Sequence, residues 1–529
     1  MSARPLNRDA MLQQVQETAE FDVAIIGGGA TGLGSALDAV SRGLKTIVLE
    51  AEDFAKGTSS RSTKLIHGGV RYLRSGQVKM VYESLAERGR LEHNAPHIVH
   101  SIAFVIPSYQ FGMRWFYFAG MKLYDFLAGK LFSSTSSRLL TNEEVAAKLP
   151  TLDAGKLQGG VLYHDGQFDD ARLALALARA TAANGGVVLN HARVTELSTE
   201  RRKISGLTFR DSLTGQEHLV KAKTVINATG VFGQAIMQLD SSTEKSAPTI
   251  VPSRGTHVVI DEEYMPGNTA LLIPDTDDGR VLFAIPWLGK TVIGTTDVET
   301  NDICLDPKPT SSEVEYILDH VGRYLTTKPT LKDVRSVFSG LRPLVGKSDN
   351  KGGTAALSRE HEIYVSPRGL ISIIGGKWTT YRKMGEDVID LAIDVGKLTR
   401  NASRTAYMQL DASNNEAECT NYDSFGKLAP QLKRLVDEDP NLAEKIHARL
   451  PYEKAHVKWA VEEEMARTLD DVLSRRLRAL LLDAKAAMEC AKDVANQMAQ
   501  LLEKDPRWVD EQVEQFTQVA LGYLPDSLD

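Results

Sequence analysis

Cysteine is nearly missing from this chain: Cys304, Cys419 and Cys490 are all there is in 529 residues. They stand far apart and form no C-x-x-C pair. That excludes a disulfide framework and a metal site of clustered thiolates, and it suits a reducing compartment. Long hydrophobic runs are missing too, because no uninterrupted apolar stretch reaches the ~20 residues that span a bilayer. Residues 1–20 are polar and mixed in charge and lack the apolar segment of a secretory signal. They read as a leader that packs as a short helix or stays loose. A positive excess is absent: the formal net charge is −7, which argues against nucleic acid as a general partner. The acidic surplus sits in residues 401–529, while residues 1–400 are close to neutral. Repeats and low-complexity tracts are absent as well. Aromatic residues make up 7% of the chain, yet they crowd into residues 111–132. What remains is an apolar content of 42% and a charged content of 25%, ordinary for a globular protein whose length favours two or three domains.

Glycine is present where it says most. Residues 22–26 read as a strand, and they enter Gly27-Gly28-Gly29-Ala30-Thr31-Gly32. Residues 33–42 read as a helix broken at Gly43, and residues 45–49 as a second strand closed by Glu50. This β-turn-α-β unit carries G-x-G-x-x-G at its first turn. Gly27 permits the tight turn, Gly29 lets the backbone approach a pyrophosphate, and Gly32 lets helix and strand pack closely. The helix N-terminus then turns its free N–H groups, including those at Gly28 and Thr31, toward the phosphates. Glu50 is placed to accept hydrogen bonds from a ribose diol. The motif alone does not separate FAD from NAD. One fingerprint at the front of the chain, without an equally good second copy, fits a flavoenzyme that keeps its flavin bound.

The rest of the chain alternates in a way that suits a doubly wound sheet with an insertion. Residues 77–95 and 167–184 read as helices, and residues 187–190 and 194–197 as strands. Thr214-Gly215 marks a hairpin within 208–220, and residues 223–227 form a buried strand ending at Gly230. Residues 251–300 are strand-rich, which predicts an antiparallel floor for a substrate pocket. Residues 371–377 again run a strand into Gly375-Gly376-Lys377 ahead of a helix from Thr379. Beyond about 405 the chain turns helical. The expected architecture is α/β. A Rossmann-like FAD-binding domain (segments 21–100, 160–240 and 335–400) carries an antiparallel substrate domain, mainly 250–335. A helical domain over 401–529 follows this oxidoreductase region of 21–400.

These residues resemble a known family, the FAD-dependent, membrane-associated glycerol-3-phosphate dehydrogenases. The matching stretches are Ile26 to Gly32, Thr58 to Leu73 with its K-L-I-H-G-G-x-R-Y-L block, Ile226-Asn227-Ala228-Thr229-Gly230, and Ile293-Gly294-Thr295-Thr296-Asp297. Ser339 to Leu344, Gly375 to Arg382 and a tail segment from Glu464 to Arg476 complete the set, in the family's order. The resemblance implies oxidation of sn-glycerol 3-phosphate to dihydroxyacetone phosphate, hydride transfer to FAD and delivery of electrons to a quinone. It also implies a peripheral place on the cytoplasmic side of the inner or cytoplasmic membrane; oligomeric state stays open, a homo-oligomer included. Trp378 stands where the family pattern leads one to expect a smaller aliphatic residue.

By the same resemblance, Arg342 and Arg359 hold the substrate phosphate, since a guanidinium fork suits phosphate oxygens. Each could otherwise be a surface ion pair. His257 is the candidate base, set against an ordinary hydrogen-bonded core histidine. His67 is expected to orient flavin or backbone. Lys377 should approach the flavin ring, where a cation stabilises the reduced form. Arg71 and Tyr72 should line the same pocket. Ser59, Ser60, Ser62 and Thr63 offer donors to the cofactor, as do Gly230, Gly375, Gly376 and Thr379. No metal ligand set stands out. The aromatic and basic residues of 111–132 suit a bilayer headgroup boundary, against a buried core helix. Three further readings stay in view: an oxidase using O2, a non-catalytic flavin-binding membrane sensor or scaffold, and an amine oxidase of the same architecture.

Overall fold

The computed structural model describes residues 6–69, 77–129, 136–244, 247–274, 276–277, 279–346, 360–411 and 422–528. At its centre lies the strand Phe21–Ile26, fully apolar from Val23 onward and paired in parallel on both sides. Thr46–Leu49 and then Val187–Leu189 extend the sheet on one flank. On the other flank lie Glu217–Asn227, Leu370–Gly375 and the antiparallel edge His361–Val365. The buried inner strands read as near-continuous apolar runs because helices cover them. Ala30–Ser41 packs between Asp170–Ala183 and Tyr381–Gly396. Two glycines set the close approach of Ala30–Ser41 to Tyr381–Gly396. A Cβ on Gly34 would meet the Tyr381 ring at 2.6 Å, and one on Gly385 would meet the Gly34 carbonyl oxygen at 2.7 Å.

The second sheet is mostly antiparallel and has ten strands among the described residues. Its long member Thr249–Asp261 pairs with Lys290–Gly294 on one side and Val334–Gly346 on the other. Leu282–Trp287 and Thr269–Ile273 lead to Val99–Pro107 and Gly160–Phe168, the last two being strands with no counterpart in the sequence reading. The antiparallel floor therefore begins well before residue 250. The expected hairpin forms at Thr214-Gly215 between Lys203–Asp211 and Glu217–Asn227, and its second arm runs on without a break into the expected buried strand. The first half of Glu217–Asn227 pairs with Lys203–Asp211 and the second half with Phe21–Ile26.

The helix that opens the described residues is anchored to the flavin-type unit. The helix Arg8–Glu17 is capped by Asn7, whose side chain accepts from the Ala10 N–H. Arg8 is buried and donates to both oxygens of Asp211, at 3.0 and 2.9 Å, and to the Asn190 carbonyl. The C-terminal helices, chiefly Ala484–Leu502 and Pro506–Leu521, share a core with Val259, Trp287, Val292 and Phe338 of the second sheet. They meet the first sheet through ion pairs that are almost completely buried. Arg475 and Arg476 both donate to Asp53, and Arg475 also donates to Asp471 at 2.8 Å. Asp470 takes Lys56, while Arg478 donates to Asp170 at 2.8 Å and to the Ser60 carbonyl at 2.7 Å. The helical tail thereby grips the loop after Glu50. Removing one partner of such a pair leaves an uncompensated charge and costs about 3–5 kcal/mol.

Candidate active site

A cavity of about 340 Å³ opens at the carboxyl ends of the parallel strands. Gly27, Gly29, Thr31, Glu50 and Gly230 line it from one end, and Gly375, Gly376 and Lys377 from the other. This is the crevice where open α/β sheets bind their ligands. Its glycines are steric necessities. Gly27 has φ +110°, and a Cβ there would meet the Ala228 carbonyl oxygen at 2.6 Å. A Cβ on Gly32 would come within 1.9 Å of the Gly27 carbonyl oxygen, and one on Gly28 within 2.7 Å of Glu50. Helix Ala30–Ser41 starts at Gly29 without a side-chain cap. Its first turn thus presents backbone donors to the cavity, as phosphate recognition requires.

The hydroxyl-rich segment after Glu50 splits its duties. Ser59 lines the cavity, and its Oγ accepts from the Ala30 N–H at 2.9 Å. Ser60 and Ser62 turn away. The Ser60 carbonyl accepts from Lys64 and Arg478, and Ser62 donates its N–H and hydroxyl to Asp170. Glu50 Oε2 accepts from the Gly28 N–H at 2.6 Å and Oε1 from the Glu52 N–H at 3.0 Å; burial pushes its carboxyl above the usual range. Trp378 takes a defined place: its indole N–H donates to the Ser59 carbonyl at 2.9 Å and its ring meets Phe168 and Tyr381 edge-on. Its size therefore braces the cavity wall. Thr379 is buried and donates to the His67 carbonyl at 3.4 Å.

Next to this cavity lies a smaller one of about 170 Å³. The consecutive residues Arg342 and Pro343 line one each, which makes the two spaces neighbours. Thr63, His67, Asp165, Arg280 and Arg342 face the smaller space. The sequence suggests a glycine-proline turn at Gly340 to Pro343, but Arg342 stands inside the strand Val334–Gly346; Pro343 is tolerated because, among the described residues, that strand pairs only with Thr249–Asp261. Its guanidinium donates to the Thr295 hydroxyl at 3.1 Å and the Thr296 carbonyl at 3.2 Å, and lies 3.4 Å from Asp297. Gly255 leaves it room, since a Cβ there would meet the guanidinium at 2.3 Å.

Arg254-Gly255 reads as a turn that would set His257 at the start of a strand, but His257 lies well inside Thr249–Asp261. Its ring is buried, stacks on Phe338 with centroids 4.7 Å apart, and places Nε2 2.9 Å from the Thr63 hydroxyl. Gly294 opposite it has no Cβ because one would strike the ring at 2.3 Å. Burial, and then the cations Lys64 and Arg342, push the imidazole well below its ordinary value. His257 touches the smaller cavity through Thr63. Lys64 itself is fully buried, donates to Asp170 at 2.7 Å, and is driven down to about 7 by burial. Arg71, Tyr72 and Arg359 lie outside the described residues, as does Cys419. Cys304 and Cys490 are free thiols.

Several residues of this site had no place in the sequence reading. Asp165, Tyr124, Arg88 and Arg280 surround the smaller cavity or its wall. The signal for Asp165 was the one acid in Gly160–Phe168, directly after the apolar run Val161 to Tyr163 and His164.

Comparison with known proteins bears on the whole chain. Residues 22–382 match the FAD dependent oxidoreductase family, and residues 372–509 match the C-terminal domain of alpha-glycerophosphate oxidase. A probable mitochondrial glycerol-3-phosphate dehydrogenase of Caenorhabditis elegans is 40% identical over 95% of this chain and 73% of its own length. The mitochondrial glycerol-3-phosphate dehydrogenase of Homo sapiens is 38% identical over 99% of this chain and 76% of its own. The chain belongs to the FAD-dependent glycerol-3-phosphate dehydrogenase family. The crystal structure of the glycerol-3-phosphate dehydrogenase from Bacillus halodurans, complexed with FAD, superposes with a TM-score of 0.80 at 28% identity, covering 99% of both chains. The cofactor of this family member is FAD, and the larger cavity fits it. Glycines that tolerate no Cβ, a helix start that opens on the cavity and an acid at the second strand form a cradle for a dinucleotide. The overall α/β architecture with a C-terminal helical domain is as the sequence led one to expect.

Proposed function

We propose that this protein oxidises sn-glycerol 3-phosphate to dihydroxyacetone phosphate and passes the electrons to a membrane quinone. The observation that carries this reading is Arg342 in a small cavity beside the FAD cradle, with Arg280 facing the same space. Two guanidinium groups suit a phosphate dianion. FAD, when bound, supplies the acceptor for the hydride lost from the alcohol carbon. Arg342 holds the phosphate and so fixes the distance between that carbon and the cofactor. Lys377, at the rim of the larger cavity, offers positive charge to the reduced ring. His67 and Thr63 bracket the substrate, with His257 behind Thr63.

The electron route out begins at the helix Met113–Ala128. Phe111, Phe116 and Phe126 are 95%, 64% and 81% exposed around it, and Trp115 is 55% exposed. Arg114 lies 5.5 Å from the Trp115 ring and Lys122 lies 5.3 Å from the Phe118 ring. Among the described residues no helix is long and apolar enough to cross a membrane. An amphipathic helix with aromatic and basic residues on its open face suits the headgroup boundary, giving a peripheral enzyme on the cytoplasmic side of the inner or cytoplasmic membrane. The oxidase reading has one supporting observation, the description of the C-terminal family match. Rates of quinone-analogue reduction and of oxygen uptake, measured side by side with glycerol 3-phosphate, separate the two. Quinone reduction well above oxygen uptake supports the dehydrogenase; the reverse order overturns it.

A further inference from the structure

Asp165 lies on the wall of the smaller cavity, and the assignment above gives it no task. It sits mid-strand in Gly160–Phe168, opposite Ile102, and is only 4% exposed. Its Oδ1 accepts from Arg88 Nη1 at 2.6 Å and from the Gly166 N–H at 3.3 Å. Its Oδ2 accepts from the Tyr124 hydroxyl at 3.1 Å, and Tyr124 in turn accepts from the Gly68 N–H at 2.8 Å. A carboxylate oxygen accommodates two hydrogen bonds, so Oδ2 keeps capacity for one more among the described residues. His257 offers less. Its ring is shut behind Thr63 and Phe338, and the neighbouring cations disfavour any further proton on it.

We propose that Asp165 is the base that takes the hydroxyl proton of a small phosphorylated secondary alcohol, with Tyr124 and Arg88 as its positioning residues. This rests on the substrate reading given above. The alcohol carbon gives up its C–H electron pair as hydride to the flavin, which is reduced. The O–H proton joins a carboxylate oxygen of Asp165, and the C–O bond becomes C=O. Burial outweighs Arg88 and pushes the Asp165 carboxyl up to about 6, so it is ionised at neutral pH and still basic enough to accept a proton. The groups that face it are Arg88 from Val78–Asn94, Tyr124 from Met113–Ala128 and Tyr163 on its own strand. His67, Arg280, Arg342 and Asp297 share its cavity. Arg280 and Arg342 offset the repulsion of an anionic substrate by Asp165 and Asp297.

The test is anaerobic stopped-flow reduction of the bound flavin at saturating glycerol 3-phosphate, across pH. A phosphate monoester also titrates near pH 6, and saturation removes its ionisation in free solution from the profile. Wild type should show an acid limb, the rate rising through about pH 6 as Asp165 ionises. Asp165→Asn should lower the limiting rate by about 10²–10⁴-fold and lose that limb, with FAD content unchanged. Tyr124→Phe removes a hydrogen bond to the ionised form and should move the limb to higher pH. A second readout needs no turnover. In the resting holoenzyme, infrared difference spectra should show a protonated-carboxyl band that titrates near pH 6 and is absent from Asp165→Asn. A rate for Asp165→Asn within threefold of wild type, with the limb intact, would make Asp165 a structural residue and overturn the proposal. So would a limb unmoved by Tyr124→Phe, even were Asp165→Asn to fold poorly. A wild-type flavin that glycerol 3-phosphate leaves oxidised would defeat the substrate reading instead, and the infrared titration would still report on Asp165.

Discussion

Arg342 combines the features of an anion anchor: partial burial, donors held by Thr295 and Thr296, and a glycine cleared to make room for it. Arg342→Ala should therefore weaken kcat/KM for glycerol 3-phosphate by about 2–5 kcal/mol, the usual loss for one partner of a desolvated charged pair. FAD content, read from the flavin absorbance per protein, should stay as in wild type, because Arg342 faces the smaller cavity. An unchanged kcat/KM would remove it from the phosphate site. Gly32 answers to a different force. Its missing Cβ is demanded by the Gly27 carbonyl, so even Gly32→Ala should cost flavin occupancy, visible as colourless purified protein. Fully yellow Gly32→Ala protein would show that the turn can shift to accommodate a methyl group.

At the scale of the element, the helix Met113–Ala128 has two faces with separate tasks. Met121, Tyr124 and Ala128 are buried inward, while the aromatic rim points away. Phe118 is partly buried against the core, so the variant that isolates the rim is Phe111→Ser with Phe116→Ser and Phe126→Ser. It should release the enzyme from anionic liposomes and slow quinone reduction more than reduction of a soluble dye. Co-sedimentation equal to wild type would place the membrane contact elsewhere. This element also shows what the sequence could and could not disclose. Aromatic density marked residues 111–132, but only the packing separates Tyr124 from Phe126. The β-turn-α-β unit was legible to within a few residues because glycine sterics and apolar runs are local. The strands Val99–Pro107 and Gly160–Phe168 were not, since their meaning comes from pairing with one another and with Thr269–Ile273. His257 and Arg342 were legible as candidates through family likeness. Their neighbours Thr63 and Asp297, both outside strands, emerged as partners only from the packing.

At the scale of the molecule, the helical tail is bound to the flavin unit by charge. Asp53 accepts from both Arg475 and Arg476 in full burial, and those cations hold its carboxyl below the usual range despite the desolvation that opposes them. A depressed folded pKa contributes stability that is present above the unfolded value near 4 and is lost as pH falls through the folded one. Asp53→Asn should thus lower the melting temperature at neutral pH, by an amount set by about 3–5 kcal/mol, and its gap to wild type should narrow below pH 4. A gap independent of pH would assign the loss to packing.

The whole account turns on one reaction between the bound cofactor and one alcohol. Anaerobic addition of glycerol 3-phosphate to the purified yellow protein, set against glycerol, glycerol 2-phosphate and D-amino acids, tests it most directly. Rapid bleaching of the flavin by glycerol 3-phosphate, with the other three leaving it oxidised, is the predicted result. Bleaching by a D-amino acid, or an oxidised flavin throughout, would contradict it.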